Sequence, residues 1–188
     1  MVNEITDGTI GHIGIAFTFG IIVMIMIYSF GAISGAHINP AVTLAFAVTD
    51  RFNKEDTFPY LIAQLVGAIL SSLTLTFLFA SSSTMGETLP SNSWQQSFVL
   101  ELILTFFLML VILFVSQNKE TASYTAIAVG ATVLLEALFA GPICGASMNP
   151  ARSIGPALIS GNLAYLWLYI FAPILGAILA SIVWKLMK

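Results

Sequence analysis

Charge is scarce in this sequence. Only 8% of its 188 residues are Asp, Glu, Lys or Arg, while 58% are hydrophobic. A soluble domain typically carries about 25% charged residues, and the mean hydropathy of +0.96 points the same way. A chain with so few charged side chains cannot cover its surface for water, so the composition predicts a protein embedded in a lipid bilayer.

Cysteine and clustered basic residues are also scarce. The one cysteine, Cys144, excludes an internal disulfide and a thiolate metal cluster. The six Lys and Arg residues form no basic run, which argues against nucleic acid as a partner. Because metal-ligand spacings, phosphate loops and nucleophile motifs are missing too, we expect no metal, no cofactor and no enzyme activity.

What the chain has instead is long apolar stretches. A bilayer core requires about 20 apolar helical residues. The stretches that meet this length are 10–33, 58–80, 97–116, 125–143 and 163–184. Two shorter ones, 41–48 and 151–159, each follow an Asn-Pro pair. A helix of about eleven residues reaches about 16 Å, half of the hydrocarbon core, so these two predict half-helices that enter the membrane and stop.

The positions of the cationic residues predict the orientation of the spans. With alternating spans, all but one of them fall on one side, which we assign to the cytoplasm: Arg51, Lys54, Lys119, Lys185 and Lys188. We therefore predict a multi-pass protein of the plasma membrane with its N-terminus outside and its C-terminus inside. Arg152 falls on the other side, within the second half-helix, and needs a separate explanation.

The chain repeats itself at an offset near 110 residues. GAHINPA at 35–41 matches GASMNPA at 145–151, and Gly20 pairs with Gly130 in the same register. GAIL at 67–70 likewise matches GAIL at 176–179. Because an odd number of spans separates the copies, they insert in opposite directions. Such an inverted repeat predicts a binding or conducting site near the membrane midplane.

Each Asn-Pro-Ala segment has the residues of a helix start, because Asn is favoured at the N-cap and Pro at the first helical position. The residues are Asn39, Pro40, Ala41, Asn149, Pro150 and Ala151. One copy alone would be an ordinary turn signal. Two copies meeting from opposite sides would place both positive dipole ends and two amide donors at the membrane centre. Cations would be repelled there, and neutral molecules with a lone pair would pass.

The doubled Asn-Pro-Ala, with Arg152 directly after the second copy, resembles the aquaporin or major intrinsic protein family over essentially the whole chain. ISGAH at 33–37 and GPICGASM at 141–148 resemble its nodulin-like and microbial aquaglyceroporin branch. The resemblance implies an all-α inverted-repeat bundle with six spans and two re-entrant half-helices. It also implies a homotetramer in which each subunit is a passive channel for water and small uncharged solutes.

Against that family the repeat is incomplete, since the span at 97–116 has no mate and the offset would place one mostly before Met1. We expect a single channel domain over 1–188 whose first repeat, 1–80, lacks the first span, while 95–188 is the second repeat. The alternative is a genuine five-span protein. A missing helix would expose irregular backbone to lipid, which is tolerated only inside protein or along a wet cavity.

The resemblance implies a selectivity filter toward the outside at Phe19, Ala137, Ala146 and Arg152. Arg152 would face the solute or, alternatively, tie a loop by its carbonyls, and Phe19 would form an apolar wall or simply pack in lipid. Strict water channels of the family usually carry His in place of Ala137. Its absence favours a wider pore for glycerol, urea or neutral metalloid hydroxides, with a strict water channel as the alternative.

Further residues have roles implied by the resemblance. Backbone carbonyls are expected to line the path at Gly35, Ala36, His37, Cys144, Gly145 and Ala146. Glu101 is expected to accept backbone N–H bonds from the second re-entrant loop, since a buried carboxylate needs such partners.

A secondary transporter is a competing hypothesis, because inverted repeats with broken helices also occur in transporters. It would have only Glu101 and Glu136 as membrane-depth acids. A non-conducting truncated subunit is the other alternative.

Overall fold

The computed structural model describes residues 1–80, 82 and 84–188, and within these the secondary structure is helical with no strand. The helices in chain order are α1 (Val2–Ile5), α2 (Gly11–Ser34), α3 (Pro40–Val48), α4 (Lys54–Leu78), α5 (Trp94–Gln117), α6 (Thr125–Cys144), α7 (Pro150–Ser160) and α8 (Leu166–Leu186). A 3-10 turn, Ala122–Tyr124, leads into α6. The predicted all-α fold is confirmed.

Among the described residues, five helices are long and apolar enough to cross a bilayer, namely α2, α4, α5, α8 and α6 together with its leading turn. The prediction of five spans is confirmed, although some boundaries differ. The second span begins at Lys54 instead of 58, because Glu55 and Asp56 occupy the first turn of α4, where acidic side chains interact favourably with the helix dipole.

The two short helices are the predicted re-entrant segments. α3 has 9 residues and α7 has 11, and each begins with proline at its first position after an asparagine N-cap. Their lengths correspond to about 14 and 16 Å, roughly half the hydrocarbon thickness. α7 ends at Gly161, whose φ of 80° gives a left-handed cap.

Residues related by the repeat offset contact one another where α2 crosses α6. A Cβ built on Gly20 would lie 2.6 Å from the Gly130 carbonyl oxygen, and a Cβ built on Gly130 would lie 2.6 Å from the Gly20 carbonyl oxygen. The two helices therefore cross with their backbones in contact. Equivalent residues can meet reciprocally only near a two-fold axis, so α2 and α6 are related by the pseudo-symmetry of an inverted repeat.

The two halves of the bundle are enclosed to different degrees. In the apolar windows of α5, α6 and α8, 39–44% of residues are buried, but the values for α2 and α4 are 11% and 6%. Gly176 of α8 packs against the α5 backbone at Leu102 and Phe106. Its repeat mate on α4, Gly67, has no described heavy atom within 4 Å of where its Cβ would stand. A helix thus covers this position in one half only.

Side-chain bonds tie several helix ends together at the end of the bundle that carries Lys185. The Lys185 ammonium donates to the Val48 carbonyl at 2.6 Å, which connects α8 to the end of α3. Trp184 Nε1 donates to Gln117 Oε1 at 2.7 Å, which connects α8 to the end of α5. α3 itself packs in the core through Ala41 and Ala45, both with 0% exposure. Such small side chains allow close helix packing.

Candidate functional site: the channel cavity

The two asparagines of the Asn-Pro-Ala segments join the half-helices at their N-termini. Asn39 Nδ2 donates to the Met148 carbonyl at 2.7 Å, and Asn149 Nδ2 donates to the Ile38 carbonyl at 2.8 Å. Each side-chain oxygen caps its own helix, accepting the N–H of Ala41 at 2.9 Å in one case and of Ala151 at 3.1 Å in the other. Every Nδ2 carries a second hydrogen, which these bonds leave free for a solute.

The backbone before each asparagine follows the same unusual path. Gly35, Ala36 and Ile38 have φ of 79°, 44° and 44°, and Gly145, Ala146 and Met148 have 84°, 41° and 52°. Left-handed conformation at a residue other than glycine costs on the order of 1–3 kcal/mol and persists where the surroundings enforce it. The crossed asparagine bonds supply part of that enforcement in both segments.

A cavity of about 450 Å³ contains both asparagines in its wall. Its lining includes every fourth residue of α6 from Thr125 through Val129 and Val133 to Ala137. Twelve residues of helix rise about 18 Å, so the cavity is elongated along the helix. Most of the remaining lining is apolar, with Val23, Ile27, Val42, Leu108 and Ile112 as examples. The arrangement offers hydrogen bonds on one side of a solute and an apolar wall on the other.

The four predicted filter residues all line this cavity. The guanidinium carbon of Arg152 lies 5.4 Å from the centroid of the Phe19 ring. Arg152 Nη1 also donates to the Gly86 carbonyl at 2.7 Å. The structure therefore combines the two alternatives for Arg152, because it both ties a loop carbonyl and lines the cavity. Ala137 and Ala146 contribute only methyl groups to the lining.

A second arginine, which the sequence pattern did not predict, also lines the cavity. Arg51 follows α3, and its Nη1 donates to the Leu113 carbonyl of α5 at 3.2 Å. Its guanidinium carbon lies 5.2 Å from the centroid of the Phe46 ring. In the sequence Arg51 indicated only which side is cytoplasmic. No signal in the repeat could have found its site, since position 161 of the second copy is Gly161.

His37 also lines the cavity, within an aromatic cluster. Its ring centroid lies 4.8 Å from those of Phe46, Phe52 and Tyr60. Its Nδ1 is 3.1 Å from the Thr43 hydroxyl oxygen. These neighbours hold the His37 ring in place in the cavity wall.

Glu101 lies outside the cavity and supports its wall. The carboxylate is fully buried and accepts the backbone N–H groups of Ser147 and Met148, each at 2.7 Å. This is the geometry that the resemblance implies. The bonds hold the peptide units directly before Asn149, so Glu101 positions the second re-entrant segment without touching a solute.

Some predicted residues lie away from the cavity. Of the carbonyl positions, Gly35, Ala36, His37 and Ala146 belong to the described lining, whereas Cys144 and Gly145 do not. The Cys144 carbonyl instead accepts the Tyr169 hydroxyl at 2.8 Å, and both residues have 0% exposure. For Cys144 and Gly145 the role of path carbonyls stays a prediction. The prolines and alanines that follow the two asparagines shape the half-helices but are likewise absent from the described lining.

Glu136 is adjacent to Ala137 but lies outside the described lining. It is 4% exposed, and its Oε2 has no hydrogen-bond partner in the part of the chain that the structure describes. A side chain next to a filter residue on a helix points about 100° away from it. Glu136 is therefore in the protein wall between helices.

Comparison with known proteins agrees with this geometry. The family model for the major intrinsic protein matches residues 1–184. The chain is 46% identical over 189 residues to Aquaporin NIP1-1 of Zea mays and 43% identical over 190 residues to Nodulin-26 of Glycine max. These alignments cover 100% of this chain and 67% and 70% of those proteins, so the chain spans about two thirds of their length.

A solved structure gives the same result. The aquaglyceroporin from Plasmodium falciparum matches with a TM-score of 0.82 at 25% identity, covering 91% of this chain and 80% of that one. The predicted resemblance to the nodulin-like and aquaglyceroporin branch is confirmed. A family match over nearly the entire sequence, on a bundle whose two half-helices meet through crossed asparagines, shows that the chain belongs to the major intrinsic proteins, the aquaporin family of non-enzymatic membrane channels.

Proposed function

We propose that the chain forms a passive channel for water and for small uncharged solutes of the size of glycerol and urea. The observation that carries this proposal is the elongated cavity, which has both half-helix N-termini in its wall and an arginine toward each end. Positive dipole ends and guanidinium groups repel cations, while carbonyls and amides exchange hydrogen bonds with neutral solutes.

The outer lining favours solutes larger than water. Two of the four filter positions, Ala137 and Ala146, carry only methyl groups and so leave room for a carbon chain. A third, Phe19, provides an apolar face for it. Arg152 remains as the hydrogen-bond donor. Glycerol, urea and neutral metalloid hydroxides all have hydroxyl, carbonyl or amide groups that can accept from it. These features favour an aquaglyceroporin-like pore over a strict water channel.

Coupled transport is less compatible with the lining. A secondary transporter requires acids that bind the coupling ion along the path. No Asp or Glu belongs to the described residues that line the cavity. Both oxygens of Glu101 accept backbone N–H groups, and Glu136 is in the wall, so neither is available to an ion on the path.

Orientation, location and assembly are further proposals. Contacts of Arg51 with Leu113 and of Lys185 with Val48 put both cations at the same end of the bundle, which supports that end as the cytoplasmic one. We propose insertion in the plasma membrane with the N-terminus outside, and a homotetramer with one pore in each subunit. Cross-linking in liposomes tests the tetramer, which fails if only monomers are captured.

The test is solute flux through the purified chain in liposomes, followed by stopped-flow light scattering in glycerol and urea gradients. We expect Ala137→Trp to reduce flux to that of protein-free vesicles, because the indole would fill the outer cavity. Leu135→Trp is the matched control, since Leu135 is on the same helix and is 59% exposed on its outer face.

Two results would count against the proposal. Flux through the unmodified chain that equals protein-free vesicles would remove the channel function and favour the non-conducting subunit. Equal flux through the Ala137→Trp and Leu135→Trp variants would show that solutes do not use this cavity. Flux that requires a sodium or proton gradient would favour the transporter.

A further inference from the structure

The inner arginine is not explained by the Asn-Pro-Ala segments or by the filter. We propose that Arg51 is a second specificity-determining residue that excludes cations at the inner end of the cavity, independently of Arg152. This inference rests on the proposed channel function. It makes cation exclusion a property of two separate charged sites.

The chain after α3 folds back in a way that returns Arg51 to the cavity. Asp50 has a φ of 57°, a left-handed conformation that Asp tolerates better than most residues. The Arg51 N–H then donates to the Phe46 carbonyl at 2.9 Å. The turn therefore directs Arg51 back along the half-helix, and its side chain joins the wall that Phe46 also lines.

The guanidinium group is held by two anchors of the same kind as those of Arg152. One anchor is a backbone carbonyl, Leu113 for Arg51 and Gly86 for Arg152. The other is the face of a phenylalanine, with centroid distances of 5.2 Å for Arg51 and 5.4 Å for Arg152. A guanidinium has five N–H donors, so each anchored group retains donors for a passing solute.

The charge of Arg51 is not neutralised by an ion pair in the described structure. The neighbouring Asp50 carboxylate is 3.5 Å from the Lys54 ammonium instead. Asp56 lines the same groove as Arg51 and keeps its charge, but no ion pair joins the two side chains in the described structure. Arg51 is itself exposed, so its unpaired guanidinium repels cations through the solvent at this end of the cavity.

The two arginines line different parts of a cavity that extends for about 18 Å along α6. Arg152 lies over the Phe19 ring of α2, and Arg51 lies over the Phe46 ring of α3. A cation that passes one arginine therefore meets the other as a separate barrier, and removing one of them leaves the second in place.

The experiment measures potassium leak and glycerol flux in the same liposomes for the unmodified chain, Arg51→Gln, Arg152→Gln and the double variant. We expect the double variant to leak potassium at least about tenfold faster than Arg152→Gln alone. Lys54→Gln combined with Arg152→Gln is the control, since it removes the same charge three positions along, from a side chain that is 80% exposed and is not part of the cavity lining. Arg51→Lys in place of Arg51→Gln should restore most of the exclusion.

The outcomes separate this inference from the channel function. Normal glycerol flux, with no more leak from the Arg51→Gln double variant than from the Lys54→Gln control, would overturn the role of Arg51 alone. If the unmodified chain carries no glycerol, the channel function and this inference fail together. Retained glycerol flux in the Arg51→Gln variant shows that the variant is folded, so that its leak reports on charge.

Discussion

The two re-entrant segments share a backbone conformation but differ in what supports them. In the second, Glu101 accepts two N–H groups at 2.7 Å, and α5 covers Gly176. In the first, the equivalent His37 N–H donates to the Tyr60 hydroxyl at 3.2 Å, and Gly67 faces open space within the described structure. A charged acceptor is thus present on one side of the pseudo-two-fold axis and a neutral one on the other.

The conformation of the two loops and the stability of that conformation therefore have different causes. The φ angles before Asn39 and Asn149 agree within about 10° although their supports differ. The local sequence and the crossed asparagine bonds therefore suffice to determine the path of the loop. The supports instead decide how much free energy opposes its opening, since hydrogen bonds to charged groups contribute about 1.5–3 kcal/mol and neutral ones about 0.5–1.5 kcal/mol.

Removing the charged support should have the largest effect. We expect Glu101→Leu to lower the free energy of unfolding by about 3–6 kcal/mol, because two buried N–H groups lose a charged acceptor. Denaturant unfolding in detergent measures this. Glu136→Leu makes the same change at a buried carboxylate whose Oε2 has no described partner, and it should be close to neutral or stabilising. Equal losses for both variants would refute the role of Glu101 as a support.

Substitutions at the paired glycines of α4 and α8 should give the next largest difference in the free energy of unfolding. Gly176→Ala would push a methyl group into the α5 backbone and should cost about 1–3 kcal/mol. Gly67→Ala meets no described atom and should instead stabilise α4 by up to about 1 kcal/mol. Midpoints of thermal unfolding for the two variants should therefore shift in opposite directions. A loss for Gly67→Ala as large as that for Gly176→Ala would show that the first half is covered as tightly as the second.

The neutral support predicts a smaller effect. Tyr60→Phe removes the hydroxyl that accepts the His37 N–H and donates to the Ser34 carbonyl at 3.1 Å. We expect a loss of about 0.5–1.5 kcal/mol in the free energy of unfolding. Tyr124→Phe, at a residue that is 60% exposed, is the control and should leave stability unchanged. A loss near that of Glu101→Leu would contradict the difference between the two supports.

The smallest difference in unfolding free energy is expected between substitutions at two alanines in equivalent positions. Ala36 and Ala146 have φ of 44° and 41°, so replacing either with glycine relieves the same left-handed strain. The two changes in unfolding free energy should agree within about 0.5 kcal/mol. A clear disagreement would mean that the supports, and not the local sequence, determine the loop conformation.

Much of the fold could be predicted because the determining signals are local. Span length, Asn-Pro helix starts and the repeat offset each depend on neighbouring residues, and they gave the five spans and both half-helices. Boundaries were less certain, since Lys54, Glu55 and Asp56 extend α4 beyond its apolar stretch. A charged first turn can be solvated at the membrane surface, which an apolar window does not register.

The site was harder to predict where it depends on loops. The asparagines could be placed from their repeat, but the acceptor of Arg152 is the carbonyl of Gly86, which no side-chain pattern identifies. The position of Arg51 depends on the left-handed turn at Asp50. Cys144 was expected to offer its carbonyl to the path, and the distant Tyr169 hydroxyl donates to that carbonyl.

The backbone contact between Gly20 and Gly130 fixes the distance between α2 and α6 where they cross. A Cβ on either glycine would collide with the backbone of the facing helix, so a larger residue at position 20 or 130 would force α2 and α6 apart. Phe19 precedes Gly20 on α2, and Ala137 is on α6. With the helix spacing fixed, the room at this end of the cavity depends on the side chains that line it, Phe19 and Ala137 among them. Selectivity can diverge by exchanging these side chains while the helical frame stays the same.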